Sequence, residues 1–369
     1  MIPIDGSFGE GGGQVLRSSL ALSILTNQPV EIRNIRARRS KPGLLPQHLK
    51  AVDAAAAVSR ARVEGASLSS AYLLFEPGKI RSGRYKFDIG TAGSTSLVLQ
   101  TIFIPLSMAG SASTILITGG THVPHAPSYH YLDRQWLRWM REIGFDAQVS
   151  LDQAGFYPQG GGRISATIRP AGNLLPIAAK LRGALHSIQG ISAVANLDVS
   201  IAERQKRQAL QRLEKGRLQA KIKTEQLSSP SKGTMLCLLA EFGTEHSTGP
   251  VLLNGRRGIN EGAIGGGSRC CYFSLGELGK PAERVADEAV DELLAFMETR
   301  ATVDQYLADQ LLLPLVFASG PSEFLTPKVT QHLTTNAAII QMFTQAAIEI
   351  EGETGQPGRV LVKPQTVSI

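Results

Sequence analysis

Apolar residues recur along this chain in blocks whose spacing alternates between a helical and a strand-like period in a fixed order. The opening Met-Ile-Pro-Ile-Asp-Gly reads as a strand, and a glycine-rich turn, Gly9 to Gly13, leads into an apolar helical run over Gln14 to Leu25. A strand follows at Val30 to Ile35, then a loop with Pro42, Gly43 and Pro46 and an alanine-rich helix over Gln47 to Arg60. Two short strands near Arg62–Gly65 and Tyr72–Phe75 complete the set. The order returns from about Arg84: the turn Gly90 to Gly93, a helix over Ser94 to Ala109 and a strand over Ser113 to Thr118. A loop with Pro124 and Pro127 then leads to a helix ending near Ile143 and strands around Ala147–Leu151 and Arg163–Ile168. A third set runs through helices over Asp304–Phe317 and Gln331–Phe343, with strands at Glu323–Leu325, Ala347–Glu351 and Arg359–Val362.

An element order repeated three times marks a repeat architecture even where residue identity between copies is faint. One tripeptide, Gln-His-Leu, does recur, at Gln47 to Leu49 and Gln331 to Leu333, opening the second helix of its unit both times. Between copies two and three the character changes. A basic helical stretch over Ala202 to Lys221, a Ser/Pro loop at Ser228 to Ser231, an apolar strand at Met235 to Ala240 and a glycine-rich loop at Gly262 to Gly267 read as an inserted α/β domain. The expected division is residues 1–181 for units one and two, 182–280 for the insert and 281–369 for unit three.

Composition narrows the class. A hydrophobic fraction of 43% over 369 residues and a mean hydropathy of −0.01 supply a sizeable core. No apolar run approaches the roughly 18 residues of a membrane span, and the start lacks the basic and apolar regions of a signal peptide. Three cysteines, Cys237, Cys270 and Cys271, form no spaced metal or disulfide pattern and suit free thiols in a reducing cytoplasm. The net charge of +7 permits a phosphate-rich partner, with Arg33, Arg36, Arg38, Arg39 and Lys41 as its densest cluster. The charge of the basic stretch in the insert reads as a solvated helix face.

Polar residues suited to chemistry gather at helix starts, where unpaired N–H groups attract anions. They are Glu10 and Gln14 with Gln47 and His48 in unit one, Gly90 to Ser94 in unit two, and Tyr306, Asp309, Gln310 and His332 in unit three. Convergence of the units around a pseudo-threefold axis would bring these starts to one anion-binding cleft. Gly11 to Gly13 lack a following Lys-Ser/Thr and so are not a Walker A loop; they serve either a tight turn or a phosphate cradle. Glu10 suits a helix cap or a hard oxygen ligand for Mg²⁺, and a carboxylate such as Asp309 inside an apolar helix is costly unless used. His122, His125 and His130 lack a completing ligand set and read as loop or surface residues. Two imidazoles, His48 and His332, are candidate nucleophiles, since a pKa near 6.5 leaves them substantially neutral at neutral pH. The residues alone do not choose between them.

The segments Asp5 to Ser18, Ile35 to Leu44, Gly119 to Thr121, Gly155 to Gly162, Tyr306 to Gln310 and His332 to Asn336 resemble, in order and over nearly the whole chain, the RNA 3′-terminal phosphate cyclase family. The resemblance implies an α/β (α+β) fold of three βαβαββ units with a small inserted thioredoxin-like α/β domain. It implies an enzyme that adenylylates a histidine with ATP and a divalent metal, Mg²⁺ or Mn²⁺. AMP then passes to an RNA 3′-phosphate, forming RNA(3′)pp(5′)A, and the 2′-hydroxyl displaces AMP to leave a 2′,3′-cyclic phosphate. By motif, His332 matches the adenylylated histidine and Glu10 the metal position. Gln100 and the stretch Tyr306, Leu307, Ala308, Asp309 and Gln310 match the adenylate pocket. Arg17, Arg36 and Arg39 match phosphate-holding residues, with Gln47 and His48 lining the same cleft. Arg38 and His130 depart from the family's pattern, where a small and an acidic residue are common, so no role carries over to the His130 loop.

The implied partners are RNA 3′-phosphate ends and ATP, with no membrane and no protein partner. Three other readings stand against this one. A non-catalytic cyclase-like ribosome-biogenesis factor would lack the nucleophile, whereas His332, Glu10, Asp309 and Gln310 are present. An enolpyruvyl transferase needs more copies of the unit than the three found here. A plain RNA-binding module explains the charge and leaves Asp309 without a purpose.

Overall fold

The structure, a computed structural model, describes residues 1–243 and 267–364, so most of the glycine-rich stretch expected at 262–267 lies outside the described residues. Unit one consists of β1 (Ile2–Asp5), α1 (Gly13–Thr26), β2 (Val30–Arg33), α2 (Pro46–Ser59), β3 (Arg62–Glu64) and β4 (Leu73–Glu76). Unit two has β5 (Arg84–Asp88), α3 (Thr95–Ser107) and β6 (Ser113–Gly119). Its second helix runs through α4 (Tyr129–Tyr131), a π-helical turn at Leu132–Trp136 and α5 (Leu137–Ile143), before β7 (Ala147–Gln153) and β8 (Gly162–Ile168). Next comes a strand of two residues, β9 (Ala178–Ala179). The insert contains β10 (Leu185–Ala195), α6 (Val199–Lys215), β11 (Lys221–Gln226), β12 (Gly233–Phe242), β13 (Arg269–Leu275) and α7 (Ala282–Met297). The chain closes with α8 (Gln305–Leu315), β14 (Ser322–Thr326), α9 (Gln331–Phe343), β15 (Ala347–Glu351) and β16 (Gly358–Lys363).

Sheet topology makes the repeat explicit. The sheets run β1-β2-β4-β3, β5-β6-β8-β7 and β9-β14-β16-β15, one connectivity used three times. In each the first two strands are parallel and the other pairs antiparallel. A parallel pair requires a crossover, which α1, α3 and α8 provide. The helices face inward: α1 packs on α2, α3 and α9, and α8 on α9. One continuous apolar core joins the three units, from Leu16 and Leu20 through Leu99 and Phe103 to Leu311, Phe324 and Ile340.

Two expected boundaries shift. Ala178 and Ala179 pair in parallel with Glu323 and Phe324, so the first strand of unit three precedes the insert, which therefore interrupts that unit. The insert also extends beyond residue 280, because α7 packs on its sheet through Val285, Ala289, Leu293 and Phe296. Its sheet, ordered β11-β10-β12-β13 with α6 and α7 on one face, has the strand order and senses of a thioredoxin-like domain. The other face carries Ile191, Met235, Cys237 and Leu239 against Tyr131 and Phe156 of unit two. Burial on both faces explains why β12 reads as an unbroken apolar run.

The basic stretch is helical only over Val199–Lys215 and continues into strand β11. Part of its charge is met by α7: Arg204 pairs with Glu283, and Arg212 with Asp287 and Asp291. All three cysteines are buried thiols. Among the described residues no helix is long and apolar enough to cross a membrane.

Asp304, the N-cap of α8, joins three parts of the molecule. Its carboxylate accepts from Tyr131 Oη at 2.7 Å and Gln135 Nε2 at 2.6 Å in unit two, and from the Cys271 amide at 3.3 Å in the insert. It also caps its own helix through the amides of Tyr306 and Leu307. Burial pushes this carboxyl up to about 6, against the pull of those donors.

Two of the three histidines read from sequence as loop or surface residues belong instead to the interior. His122 is fully buried and His130 nearly so. His122 Nε2 lies 2.9 Å from His130 Nδ1, and His122 Nδ1 lies 2.8 Å from Thr121 Oγ1. Only His125 stands exposed. Burial, more than any neighbouring charge, holds His130 down to about 4 and His122 well below the ordinary imidazole value. Between pH 6.5 and 4 the unfolded chain therefore binds protons that the folded chain refuses, so these groups lose stability as pH falls. His130→Gln should flatten the pH dependence of unfolding free energy across that window by about 1.4 kcal/mol per pH unit, one proton's worth. Denaturant unfolding at several pH values checks it; parallel curves for the two proteins would contradict the assignment.

Candidate active site

The site begins at the glycine run that opens α1. Space, more than flexibility, demands glycine here: a Cβ on Gly13 would come within 2.5 Å of His48 Nε2 and 2.6 Å of Arg17 Nη1. One on Gly12 would strike the Glu10 carboxylate, and one on Gly9, at φ +58°, the Thr335 hydroxyl. The Glu10 amide in turn donates to Thr335 Oγ1 at 3.1 Å, pinning the turn to α9. The N-cap of α1, Gly12, supplies no side-chain cap, whereas α3, α8 and α9 are capped by Ser94, Asp304 and Thr330. The opening amides of α1 are thus left without a side-chain cap among the described residues.

His332 projects from the first turn of α9 with its side chain 55% exposed. Its Nδ1 lies 2.7 Å from Gln14 Oε1, and Gln14 Nε2 donates to the Asp309 carboxylate. Helices α1, α8 and α9 therefore meet in a chain of three side chains. Because Nδ1 faces an amide oxygen, it carries the proton, and Nε2 retains the lone pair. Burial lowers the His332 pKa first, with Arg17 and Arg39 adding to the effect and Glu10 opposing it, so the ring is neutral at neutral pH. Burial pushes the Asp309 carboxyl up to about 7, against the Gln14 bond and the nearby Arg17.

His48 has the opposite arrangement. It is 4% exposed, and the Leu45 amide donates to its Nδ1 at 3.2 Å. Its proton therefore sits on Nε2, which faces Gly13 and donates rather than attacks. Burial, helped by Arg17 and Arg36, holds it down to about 3, permanently neutral. The difference traces to a single residue of offset. Pro46 starts α2, so His48 is the third helical residue and reaches back to the N-cap amide. Gln331 starts α9, so His332 is the second and Thr330 does the capping.

The basic residues surround this point. Arg17 makes no hydrogen bond or ion pair among the described residues; burial lowers it to about 10 while Glu10 and Asp309 raise it, so it stays cationic. Arg39 pairs with Glu10 through both the carboxylate and the carbonyl. Arg36 is partly committed to its own loop, with Nη1 donating to the carbonyls of Lys41 and, at 2.9 Å, Gly43. The Gln47 amide oxygen is taken by the Ser94 amide at 3.1 Å, tying α2 to the turn of unit two.

Glu10 Oε1 is buried without a hydrogen-bond partner among the described residues, 3.8 Å from His332 Nδ1. No group of three or more His, Cys, Asp or Glu side chains suited to a metal occurs among the described residues. An orphaned carboxylate oxygen with no further ligand set among the described residues fits Mg²⁺, which commonly takes one or two carboxylates and completes its shell with substrate phosphates and water.

Beyond His332 a cleft of about 910 Å³ opens between the three units and the insert. Gln14, Arg17 and His332 stand on its wall with Gln100, Tyr306, Asp309 and Gln310. Gln100 Nε2 donates to Gln310 Oε1 at 2.6 Å, and Tyr306 Oη donates to Glu292 at 3.0 Å. The lining also has an apolar part, with Ile104, Val123, Pro124, Pro127 and Met140. Leu307 and Ala308 do not face the cleft: both are fully buried in the core of the three units. Glu10, Arg36, Arg39, Gln47 and His48 lie outside the cleft lining, although Glu10, Arg36 and Arg39 act electrostatically on the same histidines. Sequence reasoning missed the bridging role of Gln14, visible only as one polar residue beside the glycine run.

A three-unit α/β scaffold with a neutral imidazole, an arginine unpaired among the described residues and a nucleotide-sized cleft suits phosphate-bearing ligands. Residues 8–350 match the family described as RNA 3′-terminal phosphate cyclase. The chain is 40% identical over 357 residues to the RNA 3′-terminal phosphate cyclase of Archaeoglobus fulgidus, covering 95% of this chain and 98% of the relative. It is 43% identical over 351 residues to that of Caldivirga maquilingensis, covering 95% and 94%, and 40% identical over 353 residues to that of Ralstonia nicotianae, again covering 95% and 94%. The chain belongs to the RNA 3′-terminal phosphate cyclase family.

Proposed function

We propose that this protein converts an RNA 3′-phosphate to a 2′,3′-cyclic phosphate, using ATP and a covalent histidine–AMP formed on His332. The observation that carries the reading is the half-exposed His332 ring, neutral and bonded through Nδ1 to Gln14, on the wall of a cleft shared with Arg17. A free Nε2 lone pair there is a nucleophile without prior deprotonation.

The first step forms a bond from Nε2 to the α-phosphorus of ATP and breaks the bond to pyrophosphate, while Gln14 keeps the proton on Nδ1. Arg17, cationic and with no hydrogen-bond or ion-pair partner for its side chain among the described residues, suits the charge that builds on the phosphoryl oxygens. The uncapped amides of α1 supply further donors. Glu10 would hold the divalent metal through its unpartnered Oε1, and the metal would offset phosphate charge. The apolar wall with Val123, Pro124 and Pro127 suits a purine face, and Gln100, Gln310 and Tyr306 offer polar groups for its edge or for ribose.

In the second step an oxygen of the RNA 3′-phosphate attacks the same phosphorus, the N–P bond breaks, and RNA(3′)pp(5′)A forms. The 2′-hydroxyl then attacks the terminal RNA phosphate, loses its proton and expels AMP. The logic is that of group activation, because a phosphate monoester has no good leaving group until AMP supplies one. The test is to incubate end-labelled 3′-phosphorylated RNA with the protein, ATP and Mg²⁺. The label should become resistant to phosphatase in proportion to AMP and pyrophosphate released. A label that stays phosphatase-sensitive while ATP is consumed would contradict the proposal.

A further inference from the structure

The three-residue chain His332–Gln14–Asp309 uses side chains from three helices in two repeat units, and each contact has a direction. A primary amide has one donor end and one acceptor end. The Gln14 nitrogen donates to Asp309 Oδ2, which turns the amide oxygen toward His332. The reversed amide could bond Asp309 only if the carboxyl carried the proton; against the ionised carboxyl, which the Gln14 bond and Arg17 favour, two oxygens would face each other where water is excluded. Gln14 is itself 8% exposed, so water does not readily replace either contact. Asp309 is held from behind: the Asn336 side chain donates to its carbonyl at 2.7 Å, and Ser18 Oγ donates to Asn336 Oδ1 at 2.6 Å. The brace thus returns to α1, the helix that carries Gln14.

We infer that Gln14 and Asp309 are positioning residues for the nucleophile: the amide, oriented by the carboxylate, holds the imidazole of His332 in its Nδ1–H tautomer with Nε2 free. In water a neutral imidazole divides itself between two tautomers and rotates freely. Only one tautomer presents a lone pair on Nε2, and only a fixed ring aims it. This inference rests on the covalent reading of His332, and it assigns Asp309 to orientation of the histidine instead of direct contact with the nucleotide.

The test compares the wild-type protein with Gln14→Leu and Asp309→Asn, all at full length. Nitrogen-15 spectra of histidine-labelled protein report which ring nitrogen of His332 carries the proton, with no ATP present. Wild type should show the proton on Nδ1, and Gln14→Leu a mixture of tautomers. Single-turnover uptake of label from α-labelled ATP should then slow by about 10²-fold in Gln14→Leu, with half-saturating ATP changed less than about twofold. Asp309→Asn, which fits the same volume and keeps an acceptor, should slow it by about 10-fold. Thermal melting within a few degrees of wild type shows that each variant is folded. An unchanged tautomer in Gln14→Leu, or an ATP half-saturation that rises with the loss in rate, would overturn the inference. Failure of wild type to take up label while its tautomer is Nδ1–H would instead count against the covalent function and leave the positioning intact.

Discussion

His332→Ala should reduce RNA cyclisation by at least about 10⁴-fold, the scale of losing a covalent nucleophile. The expectation is severe because the other imidazole near the site is not a substitute. His48 presents an N–H, not a lone pair, and its Nδ1 is committed to the Leu45 amide. Its neighbours Arg17 and Arg36 can stay in place without giving it a new role. The protein should remain folded, since His332 is half exposed and its loss opens no cavity. Steady-state turnover of 3′-phosphorylated RNA, beside a melting curve, checks both halves. His48→Ala should differ in kind, retaining labelling from ATP while losing a donor and some packing at the start of α2.

The second large effect concerns stability. Asp304→Ala should cost about 3 kcal/mol or more, because Tyr131 Oη, Gln135 Nε2 and the Cys271 amide are left buried without their acceptor. Against a total of roughly 5–15 kcal/mol for a folded domain, this is a large fraction. The loss should appear where unit two, unit three and the insert meet, so hydrogen exchange should rise first at the start of α8 and in β13. Asp304→Asn retains one acceptor oxygen and avoids burying a charge, so its loss should be smaller. A melting temperature unchanged in Asp304→Ala would show that the hub does not bind the three parts together.

Much of the architecture is legible in the chain because it is written in periodicity. Helices α1, α3, α8 and α9 fall within a few residues of where apolar spacing puts them, and a connectivity used three times leaves three traces. What escaped has physical reasons. Strand β9 has two residues, too few for any alternation to register. The apolar face of α7 reads identically whether it covers the sheet of the insert or that of unit three, so its domain membership depends on tertiary packing. The insert also hid β11, because Lys221 to Gln226 alternate weakly and follow a strongly charged helix.

The site divides in the same way. Residue types and motif order pick out Glu10, Arg17, His48, Asp309 and His332, and the structure gathers them around the start of α1. The matching Gln-His-Leu tripeptides made His48 and His332 look equivalent, and the one-residue offset of helix start that separates them cannot be read from the tripeptide. It depends on Pro46 at the first position of α2 and on Thr330 as the cap of α9. Leu307 and Ala308 entered the site by adjacency in a motif, yet the helical period turns them into the core while Tyr306, Asp309 and Gln310 face the cleft. Asp304 and Gln14 act through partners distant in sequence, and no local pattern marks such contacts.

The central claim, a covalent histidine–AMP on His332, is open to one direct measurement. Full-length protein is incubated with α-labelled ATP and Mg²⁺ without RNA, digested, and the labelled peptide mapped. The account predicts stoichiometric label in an acid-labile, alkali-stable linkage, confined to the peptide that contains His332 and discharged by 3′-phosphorylated RNA. Label that maps to another peptide, or that persists in His332→Ala, would contradict it.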